Sequence, residues 1–296
     1  MLRHKLAGVG VAMITPFTAE GRVDYEALGR MVDHVIDGGV DYIVALGTTA
    51  ETPTLYMPER AVITMYIANH IAGRVPLVVG CGGNSTSEVL DQLREFDLRA
   101  ADAILSVTPY YNKPSQEGLY QHFRTVAEHS PLPVILYNIP GRAGVNMTAE
   151  TTLRCARDFD NVIGIKEASG NIDQIQTILD RRPDDFLVLS GDDGMALDVM
   201  RRGGDGVISV AVNAFPERFM QCMNHAKAGD YARAEAEYAA LDDAVKALFA
   251  EGNPTGVKCA LAVMGKIGPT MRLPLVEGTA QLRERFRELI AKYDLR

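Results

Sequence analysis

Eight short apolar runs rich in β-branched residues, spaced roughly thirty residues apart, constrain the fold of this chain more than any other feature. They cover residues 9–14, 42–45, 76–79, 103–107, 133–137, 162–166, 186–190 and 206–210. Each is apolar throughout instead of alternating, the pattern of strands covered on both faces. Segments with helical period lie between them. In the first, Leu28, Met31, Val32, Val35 and Ile36 share one face, Asp24 is placed to cap the start, and Gly38-Gly39 to stop it. Ser85 or Asn84 is placed to cap the helix after the third strand, and Thr148 the helix after the fifth. Strands alternating with helices predict parallel pairing through right-handed crossovers. A doubly wound open sheet would carry a phosphate-binding glycine fingerprint after its first strand, and none stands there. The expectation is an α/β chain folded as a (β/α)8 TIM barrel.

The strands stop near Phe215. A long helix starting at Asp230 and stopping at Gly252 then carries Tyr231, Ala234, Tyr238, Leu241, Val245, Leu248 and Phe249 as one apolar stripe. Two further helices are expected around residues 255–266 and 278–293, the last with Leu282, Phe286, Leu289, Ile290 and Tyr293 on one face. Such stripes read as packing against the barrel or a neighbouring subunit, not as a cofactor site. The expected division is a catalytic barrel over residues 1–228 and a three-helix C-terminal extension over 229–296.

Charge narrows the class of partner. Thirty basic and 38 acidic side chains leave a net charge of −8, with no basic cluster of the kind that grips a nucleic acid. No apolar run approaches the ~20 residues that span a bilayer. Arg3 and Lys5 before the apolar residues 6–17 superficially resemble a secretory signal. However, Thr15-Pro16 stands where a small-residue cleavage site belongs, and residues 9–14 read as a strand. The four cysteines (Cys81, Cys155, Cys222, Cys259) are scattered as in a reduced core, and a cytoplasmic location is expected.

In a barrel of this kind, polar residues at the carboxyl ends of strands carry the chemistry. Lys166 follows an apolar strand, so its amine emerges at the barrel mouth from an apolar wall. Burial there disfavours the charged form and favours a nucleophile toward carbonyl carbon, whereas the structural alternative is an ion pair with Glu167 or another carboxylate. Thr48-Thr49 follow the second strand; their hydroxyls and nearby amides suit a carboxylate, or simply form a turn with a helix cap. Tyr110-Tyr111-Asn112 follow the fourth strand, where a phenol either packs or relays a proton. Tyr137-Asn138 end the fifth, beside the strand of Lys166, and Arg142 beyond them suits bidentate carboxylate recognition or is a solvated loop charge.

Other chemistries find less support. The six histidines (His4, His34, His70, His122, His129, His225) fall mostly on helices with no metal-binding spacing. Asp192-Asp193 suit magnesium or, more simply, a helix cap. The Gly80-Cys81-Gly82-Gly83 stretch lacks the lysine of a phosphate loop and reads as close backbone approach. Gly203-Gly204 precede the eighth strand and receive no function.

Five motifs in register, residues 47–51 (GTTAE), 108–114 (TPYYNKP), 137–142 (YNIPGR), 164–170 (GIKEASG) and 190–193 (SGDD), closely resemble the dihydrodipicolinate synthase family of pyruvate-dependent class I aldolases. The likeness spans essentially the whole barrel. It implies condensation of pyruvate with L-aspartate 4-semialdehyde, as in 4-hydroxy-tetrahydrodipicolinate synthase of lysine and diaminopimelate synthesis. The resemblance also implies that the covalent Schiff base would form on Lys166, with no metal or separate cofactor. It further implies a proton relay of Tyr137, Thr48 and Tyr111, the last from a neighbouring subunit. Thr49 would hold the pyruvate carboxylate and Arg142 that of the semialdehyde, with Gly191 and Ile208 lining the pocket. A homotetramer built as a dimer of dimers is implied too, and a site for inhibitory L-lysine at Asn84, Glu88 and Tyr110. Ala50 stands where the family signature usually has Gly, and Met57 and Arg60 where lysine-sensitive members often have His. Within the same aldolase group, N-acetylneuraminate lyase and 2-keto-3-deoxy-sugar aldolases share the lysine and its tyrosine. A barrel that only binds a keto acid or lysine is the reading from another class.

Overall fold

The computed structural model describes residues 5–295, so Arg3 and His4 lie outside it. Eight parallel strands, β1 (Gly8–Ala12), β2 (Tyr42–Ala45), β3 (Leu77–Gly80), β4 (Ala103–Val107), β5 (Val134–Asn138), β6 (Val162–Glu167), β7 (Leu187–Ser190) and β8 (Gly206–Ser209), pair in chain order. β8 returns to β1 through Gly8 opposite Gly206, which closes the barrel. The expected strands are thus all present, displaced by a residue or two. Pro76 and Pro133 fall outside because proline has no N–H for the ladder; only their carbonyls take part, accepting from Ile43 and Ile104. β1 stops early because the Ile14 amide turns to the Asn213 side chain.

The helices are α1 (Tyr25–Asp37), α2 (Met57–Ile71), α3 (Thr86–Glu95), α4 (Gln116–His129), α5 (Pro140–Ala143), α6 (Ala149–Asp158), α7 (Ile172–Arg181), α8 (Ala196–Arg201) and α9 (Pro216–Lys227), followed by α10 (Tyr231–Phe249), α11 (Thr255–Val263) and α12 (Ala280–Tyr293). Asp24 and Thr148 cap as expected, accepting from the amides of Ala27 and Thr151. Ser85 occupies the cap position of α3 without the capping bond; its hydroxyl meets that of Ser87 at 3.0 Å instead. α5 was not anticipated, because a single turn carries no readable period.

The reason the strand sequences do not alternate is visible in the two apolar clusters. Tyr42, Val44, Val78, Leu105, Ile135, Tyr137, Leu189 and Ile208 fill the barrel interior. Ile43, Val79, Ile104, Leu136, Val188 and Val207, from the same strands, pack outward against the helices. At the end of the chain α12 packs on α10 and α11, and α10 on α9. Phe249 departs from the expected stripe: it is 41% exposed at the last turn of α10, where Leu248 takes the buried position. α11 ends earlier than expected, in a turn at Gly265 with φ of 70°. All four cysteines are free and buried. Burial pushes the Cys155 and Cys222 thiols up to about 12.

Candidate active site

At the carboxyl ends of the strands lies a cavity of about 360 Å³ whose wall includes Thr48, Tyr110, Tyr137, Arg142 and Asn253. β6 delivers Lys166 beside it by way of a bulge. Val134 faces Val162 but Ile135 faces Gly164, so β6 carries one extra residue at Ile163. Such an insertion resets which side chains face which side. Ile163 joins the interior cluster, Ile165 the outer one. Lys166 is buried with Nζ 4.4 Å from the centre of the Tyr137 ring, and Tyr137 is its ladder neighbour.

Glu167 leaves the opposite face. Its carboxylate accepts from Asn138 Nδ2, from the Ser169 amide at 2.7 Å and from Gln174 Nε2 at 3.0 Å. The Lys166–Glu167 ion pair is therefore not formed, and Lys166 makes no ion pair with any described residue. Burial raises the Glu167 carboxyl above the usual range, against the opposing pull of those three donors. This acid and its amide partners brace the end of β6 from behind.

The turn after β2 is a tight helical one over Thr48–Ala50, and neither threonine caps it with its side chain. Thr48 lines the cavity; Thr49 is buried, and its Oγ1 accepts from Asn253 Nδ2 at 3.0 Å. Ala50 fits here without strain, since the left-handed residue of this turn is Glu51, at φ 55°. Arg142, on α5, lines the cavity and donates from Nη2 to the Asn253 carbonyl at 2.9 Å. Gly191 donates to the Glu167 carbonyl at 2.7 Å. A Cβ at Gly191 would lie 2.6 Å from Ala168 Cβ and 3.1 Å from Lys166 Cε, so the end of β7 approaches the lysine only as glycine. Ile208 is buried in the barrel interior nearby on β8. Tyr111 stands apart: it is 86% exposed, at φ 74°, and does not line the cavity.

The dihydrodipicolinate synthetase family pattern matches residues 5–293. The chain belongs to that family. A Parabacteroides distasonis protein named 4-hydroxy-tetrahydrodipicolinate synthase is 50% identical over 291 residues, 98% of each chain. Among solved structures, the chloride-inhibited dihydrodipicolinate synthase of Acinetobacter baumannii complexed with pyruvate superposes with TM-score 0.95 at 39% identity, covering 98% of this chain and all of that one. The Cyanidioschyzon merolae enzyme with lysine bound gives 0.94 at 36%, covering 99% and 100%.

Asp192 caps the turn at Gly194, as the simpler reading had it. Asp193 is buried and its Oδ2 accepts from the amides of Val210 and Ala211; burial pushes its carboxyl up to about 6. Among the described residues no group of three or more His, Cys, Asp or Glu is placed to hold a metal. Gly80 is a close approach: a Cβ there would lie 2.1 Å from the Leu46 carbonyl oxygen. Tyr110, 39% exposed, and Glu88 lie near Arg60, whose guanidinium is lowered by burial while the Glu88 carboxylate opposes that pull. The Asn84 carbonyl accepts from Asn112 Nδ2 at 2.8 Å.

Sequence reasoning missed the contribution of the last three helices. Asn253 lines the cavity, and Lys258 is buried with Nζ 2.6 Å from Glu51 Oε1 and 3.0 Å from the Thr15 carbonyl. The Arg272 amide donates to the other Glu51 oxygen at 3.0 Å. One signal was available: Lys258 is the only charged residue of α11. A lone charge on an otherwise apolar helix needs a distant partner.

Proposed function

We propose that this chain condenses pyruvate with L-aspartate 4-semialdehyde, the lyase-class reaction of a 4-hydroxy-tetrahydrodipicolinate synthase in lysine and diaminopimelate synthesis. The observation that carries the reading is Lys166: a buried amine, without an ion-pair partner among the described residues, at a strand's carboxyl end over the ring of a cavity-lining tyrosine.

Lys166 Nζ attacks C2 of pyruvate, and loss of water leaves an imine. A proton departs from the methyl carbon, and its electron pair flows toward the iminium nitrogen to give the enamine. That carbon then attacks the aldehyde carbon of the semialdehyde, whose oxygen takes up a proton. Finally the semialdehyde's amine closes onto C2 and releases Lys166. The iminium is itself the electron sink, so the reaction calls for no metal or organic cofactor.

Proton traffic is assigned to Tyr137 and Thr48, with Tyr111 supplied by a neighbouring subunit; its exposure and its absence from the lining of its own cavity support that source. Thr49 is assigned to the pyruvate carboxylate and Arg142 to that of the semialdehyde, where a guanidinium fork suits a carboxylate. Gly191 and Ile208 shape the pocket around the imine. The reading includes a homotetramer built as a dimer of dimers, a division into barrel (1–228) and extension (229–296), and a cytoplasmic location consistent with four unpaired thiols. No helix among the described residues is long and apolar enough to cross a membrane. L-Lysine is proposed as an inhibitor at Asn84, Glu88 and Tyr110, supported by the lysine-bound relative; a rate unchanged by millimolar lysine would remove that part.

Steady-state assays with pyruvate and each partner aldehyde test the reading. Turnover of aspartate semialdehyde is expected, and Lys166→Ala abolishes it. Turnover of N-acetylneuraminate or a 2-keto-3-deoxy sugar instead would move the chain to another branch of the aldolase group. Pyruvate binding with no turnover would make it a sensor.

A further inference from the structure

One residue outside the barrel touches both groups assigned to substrate carboxylates. Asn253, in the loop between α10 and α11, donates from its side-chain amide to Thr49 Oγ1 at 3.0 Å. Its main-chain carbonyl accepts from Arg142 Nη2 at 2.9 Å, and the residue itself lines the cavity. A hydroxyl that already accepts from an amide N–H retains its own proton to give elsewhere. We propose that Asn253 is a positioning residue for the keto acid: it fixes the Thr49 hydroxyl as a donor toward the substrate carboxylate. This rests on the assignment of Thr49 made above.

The loop has the rigidity that such a role requires. Five residues beyond Asn253, Lys258 is buried against Glu51, the Thr15 carbonyl and the face of Phe17, 4.2 Å from the ring centre. The C-terminal extension therefore grips the turn after β2 at two points, Asn253 on Thr49 and Lys258 on Glu51. Such a double hold keeps the two hydroxyls of the turn in a fixed relation to the barrel mouth.

Kinetics of the full-length enzyme test the proposal. Asn253→Ala keeps the carbonyl that holds Arg142 and loses only the amide. It is expected to raise KM for pyruvate about tenfold, with kcat and KM for the semialdehyde changed less. In a Thr49→Val background the same substitution should add less than about twofold, because its target is gone. Independent, multiplying effects would overturn the proposal, as would an unchanged KM. Asn253→Asp tests it even if the alanine variant folds poorly. An isosteric carboxylate only accepts, so it draws the Thr49 proton away from substrate and raises KM above that of wild type; a wild-type KM there would mean Thr49 already donates to residue 253. Borohydride trapping of pyruvate on wild-type Lys166 separates the two levels. A trapped adduct with unaffected Asn253 variants sinks this proposal alone, and no adduct sinks the aldolase reading beneath it.

Discussion

Lys166 and Glu167 are neighbours in sequence but serve opposite sides of β6, one lying over the ring of the cavity-lining Tyr137 and the other bracing the strand. The sequence made Lys166 conspicuous, since a lysine at the end of an apolar strand has few ordinary explanations. It left the Glu167 pairing open, because the bulge at Ile163 that decides the facing has no signature in a run of apolar residues. Asp193 illustrates a second single-residue effect. Its carboxyl rises from an ordinary 3.8 to about 6 through burial, so the folded state holds the proton more tightly than the unfolded chain. That contribution to stability is complete below about pH 4 and is lost as pH rises through about 6. Asn at this position can still accept both amides through one oxygen, without the buried charge. Asp193→Asn should therefore gain stability relative to wild type between pH 4.5 and pH 8, by about 2–3 kcal/mol in urea unfolding. The same difference at both pH values would contradict the burial argument.

Among elements, the strands and long helices were legible because each carries its own period and length. What joins them across the chain was not. Lys258 on α11 and Glu51 after β2 are 207 residues apart, and no local pattern brings them together. Burial draws the Lys258 ammonium below the usual lysine range while the Glu51 carboxylate opposes that pull. Removing one partner of such a pair leaves the other buried and uncompensated, at a cost of about 3–5 kcal/mol. Lys258→Met should be destabilised by that order in chemical unfolding. Adding Glu51→Gln should restore part of the loss, since it removes the stranded charge. A double variant less stable than Lys258→Met alone would show that the pair is not coupled in this way. The candidate site was likewise legible where it rests on strand ends (Lys166, Tyr137, Thr48) and illegible where it rests on the distant loop of Asn253.

For the whole molecule, the loops between the C-terminal helices complete the mouth of the barrel: Asn253, Pro254, Pro274 and Leu275 line the same cavity as Tyr137. Tyr111 is 86% exposed and does not line the cavity, and the proposed relay takes it from a neighbouring subunit. Mixing inactive Tyr111→Phe with inactive Lys166→Ala should regenerate activity on subunit exchange, because one hybrid site holds both intact groups. No recovery in a demonstrated hybrid would place Tyr111 in its own subunit or outside the relay. Sedimentation of wild type gives the assembly, for which a tetramer is expected. The expectations about activity rest on the amine at the end of β6. The most direct test is mass spectrometry with peptide mapping after borohydride reduction in the presence of pyruvate. A reduced pyruvyl adduct on Lys166, absent from Lys166→Ala, is the predicted result; a folded protein that carries no adduct, or carries it on another lysine, would contradict the account.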